Sequence, residues 1–498
     1  MPTQCNPQPT PISTRRRARP RPVLDLPQQE TTYLDFPALG PRDVLASFDG
    51  GDISSDGGAL LLRQVEQATG ILRQFAACFT DHRDPELIEH PLEHLIAQRV
   101  YALALGYEDL NDHDDLRNDP LLATVVGKLD PKGTSRRRPS DRGKALAGKS
   151  TLNRIELTPA SADSGHRSKK VTCSTHRVDD LLVALFLQAH GHPPESIVLD
   201  LDATDDPTHG HQLGRFFHAY YKDYCYLPLD IFSGDQLLCA KLRPSDIDGA
   251  AGALKQLQRI VGHIRRTWPD IKVLVRGDSG FCREPIMAWC EANGVDFLFG
   301  LAKNPRLLRL IAEPMAQAEA EYRRTGEPAR VFAELSYRTL ESWARARRVV
   351  AKAEHLNKGA NPRFVVTSVA ADRRGARALY EEDYCARGEM ENRIKEQQLH
   401  LFADRTSCQT MRANQIRLFF SSLAYVLLEA LRRLGLSGTE MAEAQCQTIR
   451  LKLLKIGALV RVSVRKVWVN LASSCPSASL FRRVHARLSG LSPPVVGV

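Results

Sequence analysis

The sequence predicts an α/β protein in which a central sheet follows a helical N-terminal region and precedes a basic helical C-terminal tail. Between residues 196 and 300, short apolar strand patterns alternate with amphipathic helix patterns, which is typical of a sheet covered by helices. From about 40 to 130, apolar residues recur at helical spacing, as they do from Leu92 to Leu103. Two further helical stretches, at about 376–400 and 411–435, lead into the tail.

The composition is that of an ordinary globular protein. The 498 residues are enough for two to four domains at roughly 100–200 residues each, and 43% hydrophobic with 25% charged residues exclude a wholly disordered or fibrous chain. No apolar run approaches the roughly 20 residues that span a bilayer, and the start lacks a basic and then apolar leader. We therefore expect a cytoplasmic protein without a membrane partner. Eleven scattered cysteines without a Cys-x-x-Cys pair indicate reduced thiols rather than a zinc ribbon or a disulfide framework.

Positive charge is concentrated in three segments of the chain. The net charge is +10 and the isoelectric point is about 9.1. Residues 1–34, 132–177 and 405–498 carry net charges of +3, +9 and +11, whereas 35–131 carries −11 and 178–404 carries −2. Such basic blocks favour nucleic acid or another anionic surface as a partner. The first block is rich in proline and arginine, so it cannot bury a core and is predicted to be a disordered arm.

The sequence GKALAGKS at 143–150 matches the phosphate-binding loop of nucleotide hydrolases. That loop binds phosphate only where it leaves a buried strand and opens a helix. Here the preceding residues include Arg136, Arg137 and Arg138, which cannot belong to a buried strand. We therefore interpret this region as a basic loop that contacts DNA, and nucleotide hydrolysis as a distant alternative.

The α/β region supplies the strands on which a site could be built. Strand patterns are predicted at 196–202, 224–232, 271–276, 295–300 and 364–369, and amphipathic helices at 250–268 and 284–292. Arginine- and glutamate-rich alternating segments interrupt the pattern at 303–360, and we interpret them as an insertion.

Carboxylates follow two of these strand patterns. Asp200 and Asp202 lie at the end of an apolar strand, and Asp278 lies just after another. Carboxylates that converge at strand ends repel each other unless cations lie between them, which is how a two-magnesium site is built. For any single aspartate, the commoner role is to end a strand in a turn.

A polar stripe follows the last strand pattern. Tyr384, Arg387, Glu391, Lys395 and Gln398 are separated by three, four, four and three residues, so they share one helical face. A solvated face would also be polar. If the face borders a cleft, Glu391 is the third carboxylate, and Arg387 and Lys395 can hold phosphates.

Three motifs carry a resemblance to a known enzyme family. Asp-Ala-Thr occupies 202–204, Arg-Gly-Asp-Ser-Gly-Phe occupies 276–281, and Tyr384, Arg387 and Glu391 follow the spacing Tyr-x2-Arg-x3-Glu. With these motifs the chain resembles the transposases of bacterial insertion sequences that have an Asp-Asp-Glu triad. Among them it resembles the group named after insertion sequence 1380.

The resemblance covers most of the chain, from the Phe-Asp-Gly-Gly at 48–51 to the Arg-Ala-Asn-Gln at 412–415. It implies a ribonuclease-H-like catalytic core with an all-β insertion before the last catalytic helix. It also implies that Asp202, Asp278 and Glu391 bind Mg²⁺, or Mn²⁺ in its place. Motif position favours Asp202 over Asp200, which stays an alternative.

One position departs from the pattern of the related transposases, in which six residues separate the glutamate from a following lysine. In this chain that position is Gln398, and Lys395, one turn earlier, is the candidate substitute. We expect Tyr384, Arg387 and Lys395 to hold the DNA backbone.

The predicted architecture has seven segments. They are a disordered basic arm (1–34), a helical N-terminal domain (35–131), a basic linker (132–190), the first part of the core (191–302), a β-rich insertion (303–360), the second part of the core with the catalytic helix (361–436) and a basic C-terminal tail (437–498).

The expected function is DNA transposition in a bacterial cytoplasm, at the nucleoid. The enzyme would bind the inverted repeats at its element's ends as a homodimer, cleave there and join the 3′ ends to target DNA. A metal-dependent nuclease without strand transfer, or a decayed DNA-binding relative, are the alternatives.

Overall fold

The computed structural model describes residues 33–491. The chain divides into two compact units, Met1–Gly51 and Asp52–Val498. In the first unit, the strands Leu34–Leu39 and Arg42–Ala46 pair as an antiparallel hairpin. The predicted basic arm, residues 1–34, lies outside the described residues except for its last two.

A nine-stranded mixed sheet forms the centre of the second unit. Its strands in chain order are β1 (Ser196–Ala203), β2 (Leu229–Ser233), β3 (Gln236–Lys241), β4 (Lys272–Gly277), β5 (Asp296–Leu301), β6 (Ala329–Tyr337), β7 (Arg347–Leu356), β8 (Gly359–Ala360) and β9 (Arg363–Thr367). They lie in the order β3-β2-β1-β4-β5-β9-β7-β6, and β8 pairs with β7. β1, β4 and β5 are parallel neighbours, and the remaining pairs are antiparallel.

Outside this sheet the other described strands of the second unit are short. They are Ile53–Ser54, Phe79–Asp81, Val171–Cys173, Asp206–Pro207, Phe216–His218, Asp223–Tyr226, Ala458–Val462 and Val467–Leu471.

Thirteen described α-helices have six or more residues. They are α1 (Ala59–Thr69), α2 (Ile71–Ala76), α3 (Leu92–Leu105), α4 (Pro120–Val126), α5 (Lys149–Leu157), α6 (Thr175–Ala189), α7 (Ala253–Thr267), α8 (Glu284–Ala292), α9 (Pro305–Leu310), α10 (Ala312–Thr325), α11 (Gly388–Lys395), α12 (Met411–Leu431) and α13 (Ala478–Ser489).

Helices cover both faces of the sheet because successive strand residues point to opposite sides. Ile231 packs in the core beneath α7 and α8, whereas Phe232 packs in the core that contains α12. α12 buries 17 of its 21 residues. A helix that is apolar around its circumference must be surrounded by other elements, and α12 lies between the sheet and the helices that precede it.

The segments predicted to be a linker and a tail are both folded into this core. Leu152 and Ile155 of α5, in the basic segment 132–190, are buried in the same cluster as α12. In the tail, the hairpin formed by Ala458–Val462 and Val467–Leu471 pairs with Ile53–Ser54. The tail is therefore partly β-structure, whereas the sequence analysis expects helix.

The segment 303–360 also differs from the expected all-β insertion. Its first half is helical, as α9 and α10, and its strands β6 to β8 extend the main sheet rather than forming another one. The sequence of α10, AEPMAQAEAEYRRT, is rich in residues with high helix propensity, which explains its form.

Within residues 33–491, no helix combines the length and the apolar character that crossing a membrane requires.

The buried carboxylate of Glu396, just after α11, joins this segment to the end of α12. Glu396 accepts hydrogen bonds from Arg393, from Arg432 Nη2 at 3.1 Å and from the backbone nitrogen of Cys446 at 2.9 Å. Burial opposes ionisation of this group, but Arg432 and the hydrogen bonds hold the pKa of Glu396 below its usual value.

We predict that Glu396→Ala lowers the free energy of unfolding by about 3 kcal/mol, because it removes the buried partner of Arg432 and Arg393 and leaves both guanidinium groups with Asp235 as their only described ion-pair partner. Urea denaturation monitored by circular dichroism measures the change. Because the pKa of Glu396 is depressed, the difference from the parent should shrink as the pH falls below 4.5. Glu389→Ala, at an exposed position on the same helix, is the control, and an equal loss there would contradict the prediction.

Candidate active site

Two of the predicted carboxylates lie at the same edge of the sheet. Asp202 is the second-last residue of β1, and Asp278 directly follows β4. Because β1 and β4 are adjacent and parallel, their carboxyl ends lie side by side. Asp278 also caps the short turn that follows it, since its Oδ1 accepts a hydrogen bond from the backbone nitrogen of Gly280 at 2.8 Å.

The third carboxylate comes from an interrupted helical segment. Residues 376–400 are helical, but the helix is irregular. It has wider π-type turns at Leu379–Tyr384 and Glu396–His400, and a tighter 3₁₀ turn at Cys385–Arg387. Such irregular turns within a helix occur frequently at functional sites. The regular part between them, α11, carries Glu391.

Arg387 lies between the carboxylates of β1 and α11. Its Nη1 is 3.3 Å from Asp202 Oδ1, and its Nη2 is 2.7 Å from Glu391 Oε1. Burial lowers the pKa of this guanidinium, but Asp202 and Glu391 outweigh burial and raise it. Arg387 therefore stays charged and neutralises part of the negative charge at this edge.

That neutralisation is incomplete at Asp202. Burial raises the pKa of Asp202 to about 6; Arg387 opposes the increase, and the charges of Asp278 and Glu391 add to it. Asp278 and Glu391 are thus close enough to Asp202 to influence its ionisation. A cation placed among them would oppose the effect of burial and of the two neighbouring charges on this pKa.

Asp200, the alternative first carboxylate, is engaged elsewhere. Its two oxygens accept hydrogen bonds from Arg276 Nε at 2.5 Å and Nη2 at 2.7 Å. Arg276 also donates to the backbone carbonyl of Asp383, in the segment that precedes α11. Asp200 therefore belongs to a buried ion pair that ties this segment to the sheet, and Asp202 is the carboxylate left to face Arg387.

Tyr384 packs against the loop of Asp278 because β5 has a glycine there. A Cβ atom added to Gly300 would lie 2.6 Å from the Tyr384 hydroxyl oxygen, 2.9 Å from the backbone nitrogen of Ser279 and 3.2 Å from the backbone carbonyl carbon of Asp278. Burial raises the pKa of Tyr384, so its hydroxyl stays protonated and can donate to an anion. Gly300 thus lets this hydroxyl approach the carboxylates.

The other predicted DNA-contact residues divide into exposed and engaged groups. Lys395, Arg137 and Arg138 are exposed. Arg136 instead forms an ion pair with Glu89 at 2.5 Å. The loop that resembles a nucleotide-binding motif follows no strand, in agreement with the sequence analysis.

Gln398 has a partner inside the protein. Its amide nitrogen donates to the backbone carbonyl of Asp205 at 3.1 Å, and its side chain lines a cavity of about 10 Å³. The same cavity is bordered by two carboxylates that the sequence analysis missed, Asp206 and Asp230. Gln398 therefore lies beside the carboxylates of Asp206 and Asp230.

These two missed carboxylates are buried. Asp230 lies on β2 directly opposite Asp202, and burial together with the charge of Asp202 raises its pKa to about 7. Burial also raises the pKa of Asp206 well above its usual value, and neither of its oxygens has a hydrogen-bond partner among the described residues. Asp230 interrupts the apolar run YCYLPLDIF, and a charged residue in such a run is the signal that could have revealed it.

The donor chemistry of Asp202, Asp278 and Glu391 suits Mg²⁺, which prefers carboxylate oxygens. Within residues 33–491, however, no three histidine, cysteine, aspartate or glutamate side chains are arranged closely enough to hold one metal ion. Arg387 lies between two of the three carboxylates, so these carboxylates can share a cation only if the guanidinium moves away.

The chain matches a known protein family. The family described as "Transposase DDE domain group 1" matches residues 36–493. The chain is a member of this DDE transposase family. No curated protein sequence is significantly similar to it. Among solved structures, the cryo-EM structure of a piggyBac transposase synaptic complex with hairpin DNA is similar at 11% sequence identity and a TM-score of 0.39, covering 88% of this chain and 86% of that chain.

For this DDE transposase, we predict that Gly300→Ala reduces catalytic activity at least tenfold, because backbone atoms of the Asp278 loop cannot yield to the new methyl group and small displacements of reacting groups are costly. DNA cleavage assays measure the effect. Adding Tyr384→Phe removes the nearest clashing atom but leaves the backbone clash and removes a hydroxyl expected to contact DNA, so it should not restore the activity. The control is Gly262→Ala in α7, where a Cβ meets no atom within 4 Å. Equal activity of Gly300→Ala and this control would refute the argument.

We also predict that Mg²⁺ affinity decreases as the pH falls through about 6, because protons and the cation compete for Asp202. The raised pKa means that the folded protein binds this proton more readily than the unfolded chain, so ionised Asp202 destabilises the metal-free fold at neutral pH. Titration calorimetry with MgCl₂ between pH 5 and 8 measures the affinity. Asp202→Asn, which mimics the protonated carboxyl, should bind Mg²⁺ at pH 8 no more tightly than the parent does at pH 5. An affinity that is constant across this range in the parent would contradict the assignment.

Proposed function

We propose that the chain is a DNA transposase that cleaves phosphodiester bonds at the inverted repeats of its element and transfers the 3′ ends to target DNA. The observation that carries this proposal is the position of Asp202, Asp278 and Glu391 around Arg387 at one edge of the sheet. Because the chain belongs to the DDE transposase family, we assign phosphodiester cleavage to this arrangement. The finer placement, in the insertion sequence 1380 group of bacteria, is part of the proposal.

In this proposal Asp202, Asp278 and Glu391 hold two Mg²⁺ ions, or Mn²⁺ in their place. When bound, the ions supply activation of the attacking oxygen and stabilisation of the leaving oxygen. The protein's own part is to hold three carboxylates on rigid elements, namely β1, the turn after β4, and α11. Arg387 is then free to bind a DNA phosphate, to which guanidinium geometry is well matched.

We further propose that β1 to β5, with their covering helices, form the ribonuclease-H-like core. Three antiparallel strands followed by two parallel ones bring the first two carboxylates to neighbouring strand ends. The segments 303–360 and 437–491 are additions to this core, and their exact boundaries stay predictions.

DNA contacts outside the site would come from exposed basic residues. Lys395 extends from the exposed face of α11, and Arg137 and Arg138 are exposed on the loop before α5. Tyr384 supplies a hydroxyl beside Asp278. Phosphate contacts of this kind weaken steeply as salt concentration rises. Action on two element ends makes a homodimer the expected working form.

We predict that Asp278→Asn abolishes Mg²⁺-dependent cleavage of the element-end DNA while it leaves binding of that DNA within about twofold, because the substitution removes a metal ligand and preserves the side-chain shape. Gel assays of cleavage and strand transfer, and a filter-binding assay, provide the readouts. Asp270→Asn, an exposed position before β4, is the matched control and should cleave normally.

Three results of this experiment would count against the proposal. Cleavage by Asp278→Asn at the parental rate would remove this residue from the site. Cleavage by the parent without strand transfer would indicate a nuclease. DNA binding by the parent without any metal-dependent cleavage would indicate a decayed, non-catalytic relative.

A further inference from the structure

A small three-stranded sheet follows Asp202 in the chain. Its strands lie in the order Asp206–Pro207, Asp223–Tyr226 and Phe216–His218, and it connects β1 to β2. We call residues 206–226 the aromatic flap. The base of the flap is anchored, since Tyr226 is buried and its hydroxyl donates to the backbone carbonyl of Leu213 at 2.7 Å.

The outer part of the flap exposes an unusual number of large apolar side chains. The exposed fractions are 61% for Leu213, 42% for Phe216, 56% for Phe217, 81% for Tyr220 and 47% for Tyr224. Four of these five side chains are aromatic. A cluster of exposed apolar side chains next to a polar site marks a binding surface more often than isolated exposed residues do.

The flap borders the candidate active site directly. The hydroxyl of Tyr221 donates to the backbone carbonyl of Ala203 at 3.1 Å, one residue after Asp202. Burial raises the pKa of Tyr221, and the charges of Asp205, Asp202 and Asp278 add to the increase. Any strand of DNA whose phosphate reaches these carboxylates must therefore pass close to the flap.

The flap presents cations beside its aromatic rings, although its net formal charge is zero. Arg215 and Lys222 are balanced by the buried Asp206 and the exposed Asp223, and the guanidinium of Arg215 lies 4.5 Å from the centre of the Tyr224 ring. Histidines at 209, 211 and 218 add hydrogen-bond donors. Exposed aromatic rings combined with cations are the elements that bind unpaired bases, because every base has a π-face.

The flap also has a strained turn at its tip. Lys222 has a φ of 58°, in the left-handed region that non-glycine residues rarely adopt. Its backbone nitrogen donates to the carbonyl of His218 at 2.7 Å, which closes the turn that displays Tyr220. Backbone strain of this kind is found where a side chain must be held for binding.

We propose that the aromatic flap binds unpaired bases of the DNA strand next to the scissile phosphate by stacking them on Phe217 and Tyr220. The inference rests on the proposed function, because it assumes that DNA lies at the carboxylates. It adds a recognition element for single-stranded DNA at that site, so an element end whose terminal bases are already unpaired binds more tightly than a fully paired one.

The test uses the full chain with Asp278→Asn, which prevents cleavage of the probes. Three proteins are compared in this background: one with no further change, one with Phe217→Ala and Tyr220→Ala, and one with the conservative change Tyr220→Phe. Leu340→Ala, which removes an exposed apolar side chain from the β6–β7 turn, is the control. The probes are oligothymidylate and element-end duplexes with and without three unpaired terminal bases, read by fluorescence anisotropy.

We expect the double alanine variant to bind oligothymidylate and the unpaired duplex at least fivefold more weakly, in line with the energies measured for base stacking on aromatic residues. The fully paired duplex should change less than twofold. Tyr220→Phe and Leu340→Ala should match the background protein, and all variants should keep its melting temperature, because the substituted side chains are exposed.

Two results would overturn the inference while leaving the proposed function intact. One is a double alanine variant that binds every probe as tightly as the background protein does. The other is a change from dimer to monomer in sedimentation with unchanged DNA affinity, which would assign the flap to an interface between two copies of the chain. If the background protein bound none of the probes, the proposed function itself would fail.

Discussion

Carboxylates that share one edge of a sheet repel each other unless a positive charge lies among them, and in this protein Arg387 supplies that charge. It bridges Asp202 and Glu391, which come from different elements and are 189 positions apart in the chain. Burial raises the pKa of Asp202, and the charges of Asp278 and Glu391 add to the increase although Arg387 opposes it. The site is therefore built to accept further positive charge, and the proposed Mg²⁺ ions would provide it as Arg387 turns to phosphate.

Two buried ion pairs hold the segment that carries Glu391 against the rest of the fold. Arg276 joins Asp200 on β1 to the backbone at Asp383, before α11. At the other end, Glu396 joins the segment to Arg432, at the end of α12. Buried pairs of this kind add little net stability but are expensive to break. Here these ion pairs fix the position of Glu391. It lies between Asp383 and Glu396, which the two pairs hold in place, so that its carboxylate can approach those on the sheet.

The sequence predicts those parts of the fold whose signal is local. Apolar runs predict β1, β4, β5 and β9 with boundaries within a few residues. Three motifs predict Asp202, Asp278 and Glu391 as site residues, and the structure brings Asp202 and Glu391 to the same arginine, Arg387. The predicted strand 224–232 is divided at Pro228 into two strands of different sheets. Pairing between Ile53–Ser54 and a C-terminal hairpin could not be inferred, because no local pattern encodes contacts some 400 residues apart. Asp230 has a local signal, because it interrupts an apolar run, whereas the burial of Asp206 depends on neighbours that only the folded chain supplies.

The central claim is that Asp202, Asp278 and Glu391 form one metal site from which Arg387 withdraws. Crystals of the protein with element-end DNA and Mn²⁺, measured at the manganese absorption edge, test it most directly. The claim predicts anomalous peaks bounded by the oxygens of these three carboxylates, with the Arg387 guanidinium moved onto a DNA phosphate. Peaks beside Asp206 and Asp230 instead, or an Arg387 that still bridges Asp202 and Glu391 in the metal-bound complex, would contradict it.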